Sequence, residues 1–246
     1  MKLKLLLLGL SLLATTLRSE GQDYLSVKFG LPKIYWDYEG DFDGLRTIYR
    51  NGWNLGVGIS WKSANNLIYG VEAGVSRFGN GFQFGNMRYD IAPIYYFDIS
   101  PSVGYNLSIP NTRIAIIPNL GINIAYTPLK DKVYDNDKTF QIRRKDIKDP
   151  DGNIISVPLY DLTFSGAQTI ESHIFLQLNP RCDIQYSLNE VSSLSINFEA
   201  RISMKKDIVR RNITEVIFEG ENYNALHTTS LTTTIISLAY QHKLGR

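Results

Sequence analysis

The sequence predicts an all-β fold: an eight-stranded antiparallel up-and-down transmembrane β-barrel with short periplasmic turns and long extracellular loops. Three observations lead to this prediction. Apolar and polar residues alternate with a period of two in eight segments, the connections between these segments are alternately short and long, and the N-terminus is typical of an exported protein.

The segment 95–126 shows the alternation most clearly. Before Pro110 the odd positions are apolar and most even positions are Asp, Ser, Gly or Asn, and the pattern resumes after Asn111. Strands this long, with a small and polar second face, suit tilted strands that cross a bilayer with lipid outside and a crowded lumen inside. A two-residue turn at Pro110 and Asn111 would pair Ile109 with Thr112 and keep both apolar sets on one side of the sheet.

The other strands follow the same rule. We expect them at 24–31, 53–62, 67–76, 174–188, 194–203 and 229–242. The intervening long connections are 37–51, 79–92, 130–171 and 207–227, all of which fall on one side of the membrane. The single cysteine, Cys182, is expected to face lipid, and one cysteine excludes an internal disulfide.

The N-terminus is predicted to be a secretory signal peptide, residues 1–21, followed by one outer-membrane barrel domain, residues 22–246. Lys2 and Lys4 precede an apolar run, Leu5 to Leu13, that is too short to span a membrane. The predicted location is therefore the bacterial outer membrane. The formal net charge of +2 gives no reason to expect nucleic acid as a partner.

Charged residues are predicted inside the barrel, where an eight-stranded lumen is just wide enough for side chains. Because buried charges need partners, we expect an ion-pair network there. A three-residue turn at 189–191 would set Arg181 opposite Glu199, and inward glycines leave room for long side chains. A narrow water-filled path is the alternative interpretation. The predicted network consists of Glu72, Asp98, Arg181, Asp183, Glu199 and Arg201.

Aromatic residues are predicted to form two girdles at the membrane interfaces. One girdle lies near the long loops and the other near the short turns. The residues are Trp53, Trp61, Tyr95, Tyr105, Tyr126, Tyr186 and Tyr240.

No pattern in the sequence indicates catalytic residues, metal ligands or a cofactor site, so we expect a protein that is not an enzyme. His173 and His227 lie where two strands leave the membrane, near serines and Glu171, which leaves a lipid A-modifying enzyme as an alternative. The segment 149–153 resembles the start of a calcium loop. Tyr160 stands where such a loop needs Glu, so the segment is better explained as a turn.

The connection 130–171 is the candidate surface for a protein partner. Within it, the segment 139–164 alternates aliphatic and charged residues around an Asp-Gly turn, which predicts a hairpin beyond the membrane. Such a hairpin either offers edge strands to a partner or shields the barrel mouth. The other expected partners are outer-membrane lipid and lipopolysaccharide, which the barrel exterior would contact.

The export signal with a Gln22-Asp23 start, the glycine-spaced strand Trp53 to Trp61 and the eight-strand layout resemble the small outer-membrane β-barrels of the Bacteroidota, the PorT-family or OmpA/OmpX-like barrels. The chain departs from them at its end, where Tyr240 is followed by six further residues instead of closing the chain. The resemblance implies a non-enzymatic barrel with a structural or interaction role through its outer loops, as an accessory of secretion or envelope assembly. The alternatives are the lipid A enzyme and a narrow channel.

Overall fold

A computed structural model describes residues 22–40, 45–84, 87–134, 140–141, 144–158, 161–218 and 221–244, and the predicted signal peptide lies outside them. In these residues the regular structure is all β. The strands are β1 (Gln22–Ile34), β2 (Asp37–Gly40), β3 (Leu45–Lys62), β4 (Leu67–Phe84), β5 (Met87–Tyr105), β6 (Leu107–Ser108), β7 (Ile114–Tyr126), β8 (Lys132–Tyr134), β9 (Phe140–Gln141), β10 (Arg144–Lys148), β11 (Ile154–Pro158), β12 (Asp161–Ile170), β13 (Ile174–Ser187), β14 (Ser192–Ser203), β15 (Val209–Phe218), β16 (Glu221–Thr229) and β17 (Thr233–Lys243).

Eight of these strands close a barrel. The antiparallel order is β13-β14-β17-β1-β3-β4-β5-β7, and the pairing of β13 with β7 completes the circle. The predicted eight-stranded fold class is confirmed. None of the described residues belongs to a helix long and apolar enough to cross a membrane.

The outside of the barrel is an apolar belt. Leu31 is 63% exposed, and exposed aliphatic and aromatic residues recur at every second position of the barrel strands, for example Val57, Ile99 and Leu238. A soluble monomer rarely exposes more than a few hundred Å² of contiguous apolar surface. An apolar belt that covers the barrel strands is therefore not expected to face water. Lipid is the solvent that this exterior matches.

The long connections are more ordered than the sequence predicts. The predicted irregular stretch 130–171 contains β8 to β12, and the predicted loop 207–227 contains β15 and most of β16. The loop 79–92 is also strand, because β4 and β5 stay paired up to Phe84 and Met87. The prediction of irregular loops at these positions is wrong. The residues there form strands that pair with one another beyond the apolar belt that marks the membrane.

The strands of these connections form an outer sheet, in the order β2-β16-β15-β12-β8 with β9 paired to β12. Each of its five main strands directly precedes or follows a barrel strand, with a break of two to five residues between them: 35–36, 127–131, 171–173, 204–208 and 230–232. The outer sheet thus continues one part of the barrel wall, while β3, β4 and β5 extend through the same level without a break. The hairpin of β10 and β11 is a separate two-stranded sheet.

The turn between β6 and β7 differs from the prediction by two residues. The backbone N–H of Ile109 donates to the carbonyl of Ile114, and Leu107 pairs with Ile116. The loop is therefore 110–113, with Asn111 at a positive φ of 60°. A shift of two residues leaves every side chain on its predicted face, because the period of a strand is two.

An apolar layer fills the lumen where the barrel meets the outer sheet. Its side chains come from the outer ends of the barrel strands, from the start of β15 and from the breaks before β15 and β17, and all of them are buried. The layer comprises Ile34, Phe78, Ile94, Tyr96, Ala125, Phe175, Ile208, Val209 and Leu231, with Trp36, Leu129 and Ile170 packed against it.

Candidate functional site

The lumen beneath the apolar layer holds a linear chain of ion pairs. Arg201 contacts Asp98 at 2.7 Å and Glu199 at 2.5 Å. Lys28 bridges Glu199, at 2.8 Å, and Glu72. All five of these residues are buried or nearly so, and each comes from the inward face of its strand.

The ion chain continues toward the short-turn end of the barrel. Arg181 lies 3.3 Å from Glu72 and 3.0 Å from Asp183. All six residues of the predicted network therefore meet in one arrangement, with Lys28 joining its two halves. Arg181 does stand opposite Glu199 in the register, but its ion partners are Glu72 across the lumen and Asp183 on its own strand.

Glycines on directly neighbouring strands make room for these long side chains, because Gly56 pairs with Lys28 and Gly74 pairs with Asp98. A Cβ on Gly56 would lie 2.8 Å from Glu72 Oε1 and 3.3 Å from Lys28 Cε. A Cβ on Gly74 would lie 3.1 Å from Asp98 Oδ1. The position of the ion pairs therefore depends on the absence of side chains at these two positions.

A polar cavity of about 210 Å³ occupies the lumen between the ion chain and the short turns. Its floor includes Glu72, Arg181 and Asp183, and its walls carry hydroxyl and amide groups such as those of Ser102, Asn119 and Gln185. Lys62 and Arg113 lie at its mouth. Among the described residues there is no group of three or more His, Cys, Asp or Glu side chains placed to hold a metal ion.

Beyond the apolar layer, the outer sheet has a buried polar cluster of its own. Arg211 on β15 donates to Gln168 Oε1 on β12 at 2.8 Å and lies over the ring of Trp36, 4.6 Å from its centroid. His227 on β16 is fully buried and meets Tyr38 edge-on, with the ring centroids 5.0 Å apart. Burial, and after it the charge of Arg211, lowers the pKa of His227 to about 4, so the imidazole is neutral at pH 7.

The two histidines considered for catalysis lie in different surroundings. His173 Nδ1 is 3.0 Å from the carbonyl oxygen of Thr127, and its ring contacts Tyr126. His227 is inside the outer sheet, while the hydroxyl of Ser230 is engaged with Thr232 at 2.8 Å. In the described contacts, His173, His227 and Ser230 each interact with neighbouring structural residues.

The segment 149–153 forms the turn of the β10–β11 hairpin. Asp149 Oδ1 accepts from the backbone N–H of Asn153 at 2.7 Å, and Gly152 has a φ of +84°. Asn153 Nδ2 also donates to the same carboxylate at 3.2 Å. These contacts place Asp149 as the residue that fixes a hairpin turn, in line with the turn interpretation of the sequence.

The predicted girdle residues lie on the outward face in two rows. In the register, Trp53 and Tyr95 both stand beside Arg77, whose guanidinium donates to the hydroxyl of Tyr95 at 3.1 Å. Tyr126 completes the row at the long-loop end, where it pairs with Phe97. The row at the short-turn end consists of Trp61, Tyr105, Tyr186 and Tyr240, the last three of which are exposed.

The cluster of Arg211, Gln168, Trp36 and His227 was not predicted from the sequence. A signal was present, because Val209, Arg211 and Ile213 alternate with polar residues in a β-branched segment, the pattern of a half-buried strand. Arg211 on the apolar face of such a strand indicates a buried guanidinium that needs a partner.

No protein-family model and no curated protein sequence matches the chain. Among solved structures, the chain is similar to the outer membrane protein OprG from Pseudomonas aeruginosa, with 13% identity, a TM-score of 0.50, and coverage of 91% of this chain and 97% of that one. A major outer membrane protein from Thermus thermophilus matches with 15% identity, a TM-score of 0.44, and coverage of 90% and 99%. Neisserial surface protein A matches with 10% identity, a TM-score of 0.41, and coverage of 90% and 97%.

The similarity to OprG establishes the fold, and the apolar belt establishes which solvent the fold faces. Together they define the chain as a small transmembrane β-barrel of the outer-membrane type.

Proposed function

We propose that this protein is a non-enzymatic outer-membrane barrel that binds a protein partner through its outer sheet and the β10–β11 hairpin. The observation that carries the proposal is the order of the long connections, which pair into one sheet and not into separate loops. Hydrogen bonds at the breaks between the barrel and this sheet fix its position: Thr229 Oγ1 donates to the carbonyl of Tyr35 at 2.6 Å, and the backbone N–H of Ile208 donates to the carbonyl of Thr229 at 2.8 Å. A binding surface fixed in this way loses little conformational entropy when a partner docks.

The edges of the outer sheet suit a partner that adds a strand. β2 is exposed along its whole length, and β8, at the other end of the sheet order, carries Val133 with 71% of its surface exposed. Exposed edges offer backbone groups for β-augmentation, while neighbouring side chains give specificity. Ile154 at the start of β11 is also 71% exposed, and it marks the hairpin as a second contact.

The filled lumen supports an interaction role over transport. The ion chain and the apolar layer occupy successive levels of the interior, so a solute crossing the barrel would have to displace both. The remaining surface, the apolar belt, contacts outer-membrane lipid and lipopolysaccharide.

The sequence resemblance to the PorT-family or OmpA/OmpX-like barrels of the Bacteroidota suggests an accessory of secretion or envelope assembly, with the N-terminal signal peptide cleaved on export. This part rests on the export signal, the glycine-spaced strand Trp53 to Trp61 and the strand layout.

The proposal is tested by co-purification from native outer membranes in mild detergent. Three forms are compared: the full-length protein, a variant in which 139–164 is replaced by a short Gly-Ser turn, and a control in which only 150–152 becomes Gly-Ser-Gly. We expect a defined partner with the full-length protein and the control, and its loss with the replaced segment. If all three forms are purified alone, binding through this segment is wrong, and the lipid A mass profile of a His173→Ala strain and the conductance of the barrel become the next measurements.

A further inference from the structure

Three hydrogen-bonding side chains meet on the outer wall of the barrel at its short-turn end. Ser192 Oγ lies 3.0 Å from the hydroxyl oxygen of Tyr240 and 3.2 Å from Nδ1 of His242, and the Tyr240 hydroxyl lies 3.4 Å from the same nitrogen. The residues come from the adjacent strands β14 and β17, where Ser192 pairs with His242. This outer-wall cluster points away from the lumen, because on β1 it pairs with the exposed Leu25 and Val27.

The depth of the outer-wall cluster in the membrane follows from its neighbours. Tyr240 belongs to the short-turn row of girdle aromatics, and such a row marks the interface between the hydrocarbon and the lipid headgroups. His242 is exposed and lies two residues further toward the end of β17, so its ring is at the level of the headgroups. Because the short turns of outer-membrane barrels face the periplasm, these headgroups belong to the periplasmic leaflet.

The imidazole of His242 presents a hydrogen-bond donor to this headgroup level. Its Nδ1 is turned toward the hydroxyls of Ser192 and Tyr240, so Nε2 lies on the side of the ring away from them. When a hydroxyl donates to Nδ1, the ring hydrogen of the imidazole is on Nε2. An exposed ring N–H that two hydroxyls hold in place suits a phosphate oxygen, because a hydrogen bond to an ionised acceptor is stronger than one between neutral groups.

A carboxylate lies beside the outer-wall cluster on the same outward face. Asp23 on β1 pairs with the girdle residue Trp61, and it is the diagonal neighbour of His242, whose direct partner is Leu25. Diagonal neighbours across a strand pair lie roughly 7–8 Å apart. The other charged residues described at this rim line the lumen cavity or share a face with its lining: Lys62, Arg113, Glu190 and Lys243. The outward face at this end therefore combines a donor for an anion with an acceptor for a cation.

We propose that this part of the outer wall binds one phospholipid with a phosphoethanolamine headgroup from the periplasmic leaflet. The phosphate accepts from Nε2 of His242, and the ammonium donates to Asp23, which lies nearer the end of its strand and so further from the membrane centre. Asp23 repels an anionic headgroup, and the quaternary ammonium of phosphatidylcholine has no hydrogen to donate. The site requires the outer-membrane placement of the proposed function but not its protein partner, so each can fail without the other.

The first test counts bound lipids by native mass spectrometry of the purified full chain in detergent micelles. Dioleoyl phosphatidylethanolamine, phosphatidylcholine and phosphatidylglycerol are added in equal amounts. We expect one retained phosphatidylethanolamine, preferred about fivefold over either competitor, because an ion pair at an exposed site contributes modestly. Asp23→Asn should abolish the preference, whereas Glu190→Gln, which removes an exposed carboxylate on the cavity side of the same rim, should retain it.

The second test uses the wild-type chain and does not depend on a variant that folds. The chain has three histidines, so ring ¹⁵N signals report His242 directly, with His173 at the long-loop end and the buried His227 as internal controls. Phosphatidylethanolamine titrated into the micelles should shift the ring nitrogens of His242 saturably and leave the two controls unchanged. Equal retention of the three lipids, or a shift at His242 that is the same for all three, would overturn the proposal. Stronger retention of phosphatidylglycerol would overturn the role of Asp23.

Discussion

The two successive levels of the lumen solve the problem of filling a narrow barrel in opposite ways. At the level of the ion chain, seven charged side chains reach into the interior, and all of them except Asp183 have an ion partner on another strand. At the level above it, the same inward positions carry aliphatic and aromatic residues, which need only fit together. The fold is therefore specified by charge pairing at the level of the ion chain and by shape at the level of the apolar layer.

The two levels should lose stability in different ways when a side chain is removed. An ion chain loses stability when one member is removed, because the partners stay buried without compensation. An apolar layer loses stability in proportion to the cavity that is left.

Arg201→Met should be the most damaging single change in the lumen. It leaves Asp98 without its cation and Glu199 with Lys28 alone, so we expect a loss of about 4 kcal/mol in the free energy of unfolding. The measurement is urea unfolding of the refolded barrel in micelles, followed by tryptophan fluorescence.

Two further variants decide whether charge is the cause. Arg210→Met removes an exposed arginine of β15 and should change stability by less than about 0.5 kcal/mol. The triple variant Arg201→Met, Glu199→Gln, Asp98→Asn should recover part of the lost stability, because no carboxylate is then left without a cation. A triple variant that is less stable than Arg201→Met would contradict the account.

Phe175→Ala tests the apolar layer. Phe175 packs edge-on against Tyr96 at 5.8 Å between ring centroids, and its removal should cost about 3 kcal/mol through the cavity it leaves. Ile174→Ala, at the next position but facing outward, is the matched control and should have a smaller effect. Equal losses in the two variants would mean that the layer does not behave as a packed core.

His227 extends the comparison to the outer sheet. Its pKa in the folded state, about 4, lies below the ordinary value of about 6.5, so the unfolded state binds the proton more readily between these values. Neutral His227 therefore stabilises the folded state at pH 7, and this contribution decreases as the pH falls. We expect the free energy of unfolding to decrease by about 2 kcal/mol between pH 7 and pH 5.

Because the histidine lies in the outer sheet, the loss should be local. We expect faster hydrogen exchange in β15 and β16 at pH 5, after correction for the intrinsic rate, with β13 and β14 unchanged. His227→Gln should remove most of this pH dependence. A uniform change over the whole barrel would show that the outer sheet does not open separately.

The barrel strands were predictable because lipid and lumen impose opposite chemistry on alternate residues. In β3 the alternation of Leu55, Val57 and Ile59 with Asn54, Gly56 and Gly58 fixes the strand and both of its faces. The same alternation identified the inward charges, and the register of β13 with β14 followed from the length of one turn.

The outer sheet was not predictable in the same way. Its strands are short, and its exposed face meets water and not lipid, so the alternation loses contrast: Asn212 and Thr214 face out where a membrane strand has Leu or Ile. The pairing of β2 with β16 joins residues almost 190 positions apart, as in Tyr38 with His227. The ion partner of Arg181 was missed for a related reason, since Glu72 lies across the lumen and not on a neighbouring strand.

Gly56→Ala should give the smallest effect and tests the fit between wall and ion chain. The added Cβ would lie 2.8 Å from Glu72 Oε1, so Glu72 has to move away from Lys28 or Arg181, and we expect a loss of about 1–2 kcal/mol. Gly70→Ala is the matched control on the adjacent strand, where the nearest atom to the new Cβ is 3.4 Å away. Because the glycine-to-alanine change restricts the unfolded chain equally in both, the control should be neutral or slightly stabilising. The difference between the two urea midpoints then measures how closely the ion chain is fitted to the strand beside it, and a difference of zero would mean that the ion chain tolerates displacement.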